Sequence, residues 1–135
     1  MRFFKSREGL SLMEIMVALG IVAFALITMI GVYISSIRLM TRGEEMTRAS
    51  EVARSSLESI KLQGYGKVPP NATFDSRNSD PKVDDFPPDP YPGPTGYPIV
   101  IKTEVIDTDL LSVTVRVYYD EKSHVVLQTY VRPTG

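Results

Sequence analysis

The chain has 135 residues, enough for one modest domain, and it carries 15 lysines and arginines against 16 aspartates and glutamates. This near balance of charge does not supply the basic surface that nucleic-acid binding usually requires, so nucleic acid is not an expected partner. The chain has no cysteine and a single histidine, His124, which argues against disulfides, metal sites and a histidine-based catalytic dyad. We therefore expect no cofactor, no bound metal and no enzyme activity.

An apolar run without any charged residue extends from Ile15 to Ile34. As an α-helix that rises about 1.5 Å per residue, this run is long enough to cross a bilayer core of about 30 Å. The apolar part of a cleaved secretory signal is shorter, at about 7 to 15 residues, so a membrane anchor is favoured. Because Arg2, Lys5 and Arg7 precede the run, the positive-inside rule predicts a cytoplasmic N-terminus and an extracytoplasmic region after Ile37.

A carboxylate stands at the start of this apolar run. Glu14 follows Leu10, Leu12 and Met13 and directly precedes Ile15, so it lies inside the hydrophobic segment. A charged side chain costs roughly 2.5 to 3.5 kcal/mol near the centre of a bilayer and less toward its edge. Such a residue is expected to have a functional partner, and none is evident within the chain. The alternative is that the carboxylate reaches the polar zone of the membrane interface.

The segment from Arg7 to Ile15 resembles the prepilin processing signal. That signal consists of a short basic leader, a glycine, a hydrophobic residue, serine or threonine, leucine, any residue, glutamate and then an apolar helix. The corresponding residues are Gly9, Leu10, Ser11, Leu12, Met13 and Glu14. Over about its first forty positions, the chain is therefore similar to the type IV pilin and type II secretion pseudopilin superfamily.

This resemblance implies a cytoplasmic leader peptide at residues 1–9 and a transmembrane and polymerisation helix at residues 10–37. It implies cleavage between Gly9 and Leu10 by a membrane prepilin peptidase, followed by methylation of the new amino group on Leu10. A side chain at Gly9 would hinder the close approach of the peptidase. Glu14 would pair with the amino terminus of a neighbouring subunit as a filament grows.

The partners implied by the resemblance are the prepilin peptidase, other pilins or pseudopilins bound through the N-terminal helix, and an inner-membrane assembly platform. The implied location is the bacterial inner membrane, crossed once, with the head in the periplasm. The subunit would then enter a periplasmic or surface filament.

An amphipathic helix is predicted for residues 38–63, since this segment has no proline. Apolar and small residues recur there at spacings of three and four, which gives one narrow stripe. The members of the stripe are Met46, Ala49, Ala53, Leu57 and Ile60. Gly64 and Gly66 mark the end of the helix.

The charged residues of this segment are predicted to be solvated. Glu44 with Arg48 and Arg54 with Glu58 have the spacing of helical ion pairs, each of which stabilises a helix by about 0.2 to 0.5 kcal/mol. At 100° per residue, Arg38 and Arg42 point in similar directions, whereas Arg48 and Arg54 do not. The four arginines therefore form no stripe for DNA.

A long loop is predicted for residues 67–98, which hold nine of the ten prolines. Prolines remove backbone donors and favour turns and polyproline II over helices and central strands. The loop also contains Asp75, Asp80, Asp84, Asp85 and Asp89. Clustered carboxylates raise the question of calcium, but no EF-hand spacing is present, and solvated turn residues are the favoured interpretation.

Three β-rich segments follow the loop, at Ile99–Val105, Leu111–Tyr119 and Val125–Val131, with a turn at 120–123 between the last two. We expect an α+β fold in which a three-stranded antiparallel meander (99–131) packs on the amphipathic helix within an extracytoplasmic head (38–135). Such a head resembles those of the small I-type pseudopilins and V-type minor pilins.

The leading functional hypothesis is a structural subunit, a minor pilin or pseudopilin at the initiation point or tip of a filament. The alternative is a binding module at a filament tip that recognises a surface, a secreted substrate or DNA. Pilus and secretion pseudopilus both remain open. Neither hypothesis needs catalysis, and the sequence lacks a nucleophile–base arrangement, a metal cluster and a phosphate-binding glycine loop.

Overall fold

The computed structural model describes residues 11–134. Gly9 and Leu10, to which the processing hypothesis assigns the cleavage, lie outside the described residues. The first element is a helix, α1, of 52 residues at Leu12–Gln63. It passes from a first compact unit, which ends at Thr41, into a second unit that begins at Arg42.

The second unit contains the sheet and the hydrophobic core. After α1 come a 3-10 turn at Tyr65–Lys67, strand β1 at Thr73–Asp75 and a 3-10 turn at Ser76–Asn78. Strands β2 (Ile99–Asp107), β3 (Leu110–Tyr118) and β4 (His124–Val131) complete the chain. The sheet order is β1-β2-β3-β4 and every neighbouring pair is antiparallel. The predicted α+β fold is confirmed, with four strands in place of about three.

One stripe of α1 faces the sheet. Ala49, Ala53 and Ile60 are fully buried and Leu57 is nearly so, which matches the predicted stripe. Met46, the first predicted member, is 53% exposed instead, because it lies before the helix meets the core. Helix α1 ends at Gln63, as the sequence indicates, and is followed by Gly64 at a φ of 83°, a conformation that favours glycine.

The sheet meets the helix with a row of valines and isoleucines. Val113, Val115 and Val117 on β3 are fully buried, and the intervening Thr114 and Arg116 face the other side. This is the alternation that the sequence predicts for a strand with one buried face. The small alanines of α1 leave space for these branched side chains, so the helix and the sheet bury their apolar faces against each other.

Part of the predicted loop folds onto the core. Three of its residues form β1, where Phe74 pairs with Ile101 and turns its ring inward. Phe86 and Tyr91 are buried beside it, with ring centroids 5.4 and 6.5 Å from that of Phe74 in edge-to-face geometry. Backbone hydrogen bonds close the predicted turns, one of them between the N–H of Tyr91 and the C=O of Pro88.

A buried threonine holds the beginning of the loop. Thr103 on β2 is 1% exposed, and its hydroxyl donates to the C=O of Pro69 at 2.6 Å. The same oxygen accepts from the N–H of Ala72 at 2.9 Å. A buried hydroxyl with both capacities used is stabilising, so Thr103 fixes where the loop joins the sheet.

Of the two ion pairs predicted on the helix surface, one forms. Arg48 Nη2 lies 2.8 Å from Glu44 Oε1, with both side chains exposed. Arg54 and Glu58 have the same spacing but form no ion pair within residues 11–134. Exposed pairs of this kind contribute so little that side-chain entropy decides whether they form.

Replacing Ile60 by alanine should lower the free energy of unfolding of the head by about 2 to 5 kcal/mol, because it removes buried methyl groups and leaves a cavity. Leu62→Ala is a matched control in the same turn of α1, since Leu62 is 88% exposed. It should change stability by less than about 0.5 kcal/mol. Urea unfolding of the full chain in micelles, followed by the near-ultraviolet signal of the tyrosines, measures both. Equal effects would contradict the assignment of the core.

Candidate functional site

The first half of α1 is apolar on every side and has no protein partner in the described residues. Large hydrophobic side chains from Leu12 to Met40 are all between 44% and 77% exposed. This part of the helix is long and apolar enough to cross a membrane, and none of its most apolar window is buried. A helix in the core of a soluble protein would be mostly buried. The exposure therefore agrees with a single-pass membrane segment.

The start of α1 is capped by a serine. The N–H of Glu14 donates to Ser11 Oγ at 3.2 Å, and the C=O of Ser11 accepts from Glu14 at 3.0 Å and from Ile15 at 3.2 Å. These bonds make Ser11 the N-cap and Glu14 the third helical residue. Serine followed by glutamate three residues later is the spacing of a capping box, which satisfies backbone donors at a helix start. Ser11 therefore has a local structural role as the cap of α1.

Glu14 lies in the first turn of the helix, where the helix dipole favours a negative charge. Its side chain is exposed. Four ion pairs form among residues 11–134, and none of them includes Glu14. The structure thus places this carboxylate among exposed apolar side chains, next to Leu12, Met13 and Ile15, without an ionic partner in the described part of the chain.

A second polar arrangement lies on the head, at the 3-10 turn after β1. Asp75 is 9% exposed and accepts two hydrogen bonds from the Arg77 side chain, at 3.0 Å from Nε and 2.7 Å from Nη2. Its Oδ1 also accepts from the N–H of Arg77 at 2.9 Å. The guanidinium of Arg77 lies 4.2 Å from the ring centroid of Tyr118 on β3. The two-point ion pair closes the turn, and the contact between Arg77 and Tyr118 holds the turn against the outer face of the sheet.

The hydrogen bonds from Arg77 change the pKa of the Asp75 carboxyl group. The side-chain hydrogen bond from Arg77 holds the pKa of Asp75 below its ordinary value, although burial acts in the opposite direction. Tyr91 donates its hydroxyl to the C=O of Asp80 at 2.7 Å, and burial raises the pKa of Tyr91. Asp80 Oδ2 in turn accepts from the N–H of Asp75 at 2.9 Å.

Three of the five aspartates of the loop bond to other groups of the head through their side chains. Asp75 and Asp80 hold the turn, and Asp89 pairs with Lys82 at 2.8 Å. Asp84 and Asp85 form a tight turn at positive φ angles of 51° and 63°. Among the described residues, no three acidic or histidine side chains lie together in a way that could hold a metal ion. Asp75 is also a buried structural residue, rather than the solvated turn residue that the sequence suggested.

Sequence reasoning missed Arg77, Tyr118 and Thr103. Arg77 lies in a segment that reads as irregular loop, and its contact with Tyr118 joins positions far apart in the chain. The one local signal is the spacing of Asp75 and Arg77, which suits a side chain that bonds back to its own turn.

Comparisons of the chain with family models, with curated proteins and with solved structures find no match.

The ion pair makes the stability of the head depend on pH. Because the folded-state pKa of Asp75 is depressed, its contribution is present above the ordinary pKa of 3.8 and is lost as the pH falls through the folded value. Asp75→Asn should cost about 1 to 3 kcal/mol at pH 7, since Arg77 loses a charged acceptor. The variant should lose less stability than the wild type between pH 5 and pH 2.5.

Asp89→Asn provides the control for this measurement. Asp89 also forms an ion pair, but its side chain is 92% exposed, so its contribution should lie below about 1 kcal/mol. Urea midpoints of the three proteins at pH 7, 5 and 2.5 test the prediction. A steeper loss at low pH for Asp75→Asn than for the wild type would contradict it.

Proposed function

We propose that this chain is a minor pilin or pseudopilin, a structural subunit that is cleaved between Gly9 and Leu10 and assembled at the initiation point or tip of a filament. The filament is a type IV pilus or a type II secretion pseudopilus. The observation that carries the proposal is an exposed apolar helix with a carboxylate, Glu14, in its first turn. That carboxylate has the spacing from Gly9 that the processing signal requires.

The fold supports this proposal. The helix continues from the apolar segment to Gln63, and its second half buries a narrow stripe against an antiparallel sheet. One long N-terminal helix packed on a small antiparallel sheet is similar to the arrangement of pilins and pseudopilins. A protein with only a membrane anchor would need no such continuity between the spanning segment and the core of the head.

The role of Glu14 follows from the energetics of a carboxylate in lipid. An ionised carboxylate within an apolar segment is destabilising, and a nearby cation lowers that cost. Cleavage after Gly9 would create an amino group on Leu10, and in a bundle of parallel subunits that amino group meets the carboxylate of a neighbour. Removing one member of such a pair leaves the other uncompensated, so the pair favours correctly placed subunits.

The proposed function also implies a membrane topology and a set of partners for the chain. The N-terminus faces the cytoplasm, where a prepilin peptidase in the inner membrane removes residues 1–9. The head lies in the periplasm, and an inner-membrane assembly platform passes the subunit into the filament, where it contacts other pilins or pseudopilins through the first half of α1.

Gly9→Leu should block processing, because a bulky side chain next to the scissile bond prevents the close approach of the peptidase. Mass spectrometry of the chain from cells with the prepilin peptidase should show the full precursor, whereas the wild type lacks residues 1–9. Gly20→Leu is the matched control, since a side chain added at Gly20 starts in open space beside α1. A wild-type chain that stays uncleaved would overturn the proposed function.

Glu14→Ala should leave the mature mass unchanged and reduce recovery of the chain in sheared filaments by about tenfold or more, because the neighbour's amino group loses its counter-charge. Glu44→Ala serves as the control. Glu44 forms an exposed ion pair with Arg48 that contributes only about 0.2 to 0.5 kcal/mol, and its loss should not change the recovery of the chain in filaments. Normal assembly of Glu14→Ala would show that the carboxylate has another role.

A further inference from the structure

Strand β4 forms one border of the sheet. It pairs with β3 at all eight of its positions, from His124 to Val131, without a shift of register. The sheet order ends at β4, so within residues 11–134 no strand pairs with its other side. One row of its backbone groups therefore faces away from the head.

The hairpin that leads into β4 shows which backbone groups these are. The N–H of Tyr119 donates to the C=O of Ser123 at 3.1 Å, and the N–H of Tyr118 donates to the C=O of Pro98 at 3.0 Å, on the side of β2. Bonded and non-bonded pairs alternate along an antiparallel ladder, so His124, which lies opposite Tyr118, points its backbone groups away from β3. The same holds for every second residue after it. The outward-pointing residues are His124, Val126, Gln128 and Tyr130.

The opposite border of the sheet is covered by the loop. The N–H of Asp75 on β1 donates to Asp80 Oδ2 at 2.9 Å, and its C=O accepts from the N–H of Asp80 at 3.2 Å. Further along β2, the N–H of Val105 donates to Asn71 Oδ1 at 3.1 Å. Natural edge strands usually have such a cover, or a proline, a lysine or a bulge that prevents pairing with another chain. Strand β4 has no proline, no lysine and no bulge.

The side chains of β4 are also incompletely covered. On its inner face Val125, Leu127 and Thr129 are only half-buried, and on its outer face Val126 and Tyr130 are 46% and 59% exposed. A groove of about 320 Å³ lies between Leu127 and one side of α1. An added strand would continue both faces, because its alternate side chains would lie next to Leu127 and next to Val126. The groove is lined by Thr47, Ser50, Glu51, Arg54 and Leu127.

A second copy of this chain does not suit this edge. Antiparallel pairing of two β4 strands needs a two-fold axis perpendicular to the sheet, which reverses residues 42–63 of α1, whereas subunits of a filament share one direction. Parallel pairing of two β4 strands would place the inner face of one copy beside the outer face of the other, which leaves Leu127 beside polar side chains. Pairing of β4 with β1 of a second copy is blocked by the bonds between Asp75 and Asp80.

We infer that β4 is a docking edge for an extended segment of a different filament subunit, which adds a fifth strand to the sheet. The inference rests on the proposed function and gives it a partner and a contact. The backbone of the added segment bonds to the outward-pointing groups of β4, and its branched apolar side chains contact Leu127 beside the groove. Because a strand with one apolar face pairs in a defined register, this contact orients the two heads relative to each other.

Amide hydrogen exchange of the full chain tests the inference. In micelles the amides of Val126, Gln128 and Tyr130 should exchange rapidly, whereas the intervening amides, which bond to β3, should exchange slowly. In sheared filaments the first three should exchange at least about tenfold more slowly, because the added strand accepts their hydrogen bonds. Unchanged exchange in filaments would overturn the inference. So would protection in micelles that rises with the concentration of the chain alone, since a second copy would then occupy the edge.

A backbone variant tests the same edge through assembly. Val126→Pro removes one outward N–H and should keep the pairing with β3, since an edge strand accepts proline where the N–H faces away from the sheet. Recovery of this variant in sheared filaments should fall about tenfold or more. Val126→Thr is the matched control, because it keeps the N–H and the branched side chain, and it should be recovered like the wild type. Equal recovery of the two variants would contradict the inference.

Val126→Lys is a second variant, which leaves the backbone unchanged. A lysine on an edge strand opposes pairing with another strand, so recovery in filaments should again fall. Val83→Lys is its control, since Val83 is 54% exposed against 46% for Val126 and lies in the loop. Urea midpoints of all four variants in micelles check that the head stays folded. Loss of recovery for both lysine variants alike would contradict the inference.

A synthetic peptide separates this inference from the proposed function. The peptide has alternating threonine and valine with a lysine at each end, and its control has proline in place of each valine. In micelles the first peptide should slow exchange of the outward amides about tenfold at ten times its Kd, and the control should not. No effect of the first peptide would overturn the docking edge.

The two proposals fail in different ways. A chain that is cleaved after Gly9 and recovered in filaments, but whose outward amides stay unprotected there, refutes the docking edge alone. A chain that the peptide protects, but that is never cleaved, refutes the pilin assignment and with it the filament subunit as partner, while the open edge stands.

Discussion

Helix α1 carries two incompatible surfaces on one unbroken backbone. From Leu12 to Met40 its apolar side chains point in every direction and stay exposed, whereas beyond Thr47 only a narrow stripe is apolar and buried. A helix that satisfies all of its own backbone hydrogen bonds is one of the few structures that lipid accepts, and a one-sided stripe is what a sheet requires. The same regular hydrogen bonding thus suits both halves, and only the side chains distinguish the exposed apolar half from the half that packs on the sheet.

The helix contributes only a narrow stripe of residues to the core of the head. Ala49 and Ala53 offer little apolar area, so most of the core comes from the valines and isoleucines of β2 and β3 and from aromatic rings of the loop. Phe74, Phe86 and Tyr91 supply this aromatic layer. The loop can bring them inward only because its polar groups are satisfied, by Thr103 at its beginning and by the Asp75–Arg77 pair after β1.

The sequence predicts those helices and strands whose apolar residues recur at regular spacings. The helix end at Gln63, the buried stripe from Ala49 to Ile60 and the alternation of β3 all follow from spacing along the chain. It does not predict β1, because three residues within a proline-rich segment carry no strand pattern and depend on pairing with β2. The contact between Arg77 and Tyr118 cannot be predicted from the sequence either, because it joins segments that meet only after the sheet has formed.

The motif around Glu14 can be recognised from the sequence, but its purpose cannot be read from local structure alone. The cap formed by Ser11 accounts for part of the motif by local hydrogen bonding. Capping alone needs only a polar residue before the helix, and it gives no reason for a charge-free run behind the carboxylate. The proposed function accounts for both features together, since a filament subunit needs an apolar helix and a carboxylate that can pair with its neighbour.

The core of the head and the apolar segment use different residues of the chain. Within residues 11–134, the core residues of the head lie between Ala49 and Val131, and none of them belongs to the apolar run from Ile15 to Ile34. On the proposed function, changes in Gly9, Glu14 or the apolar run are expected to alter processing and assembly while the head stays folded. Conversely, changes in the Asp75–Arg77 turn and the aspartate-containing loop are expected to leave the apolar segment unaffected. On the same proposal, specificity for a place in the filament resides in the surface of the head.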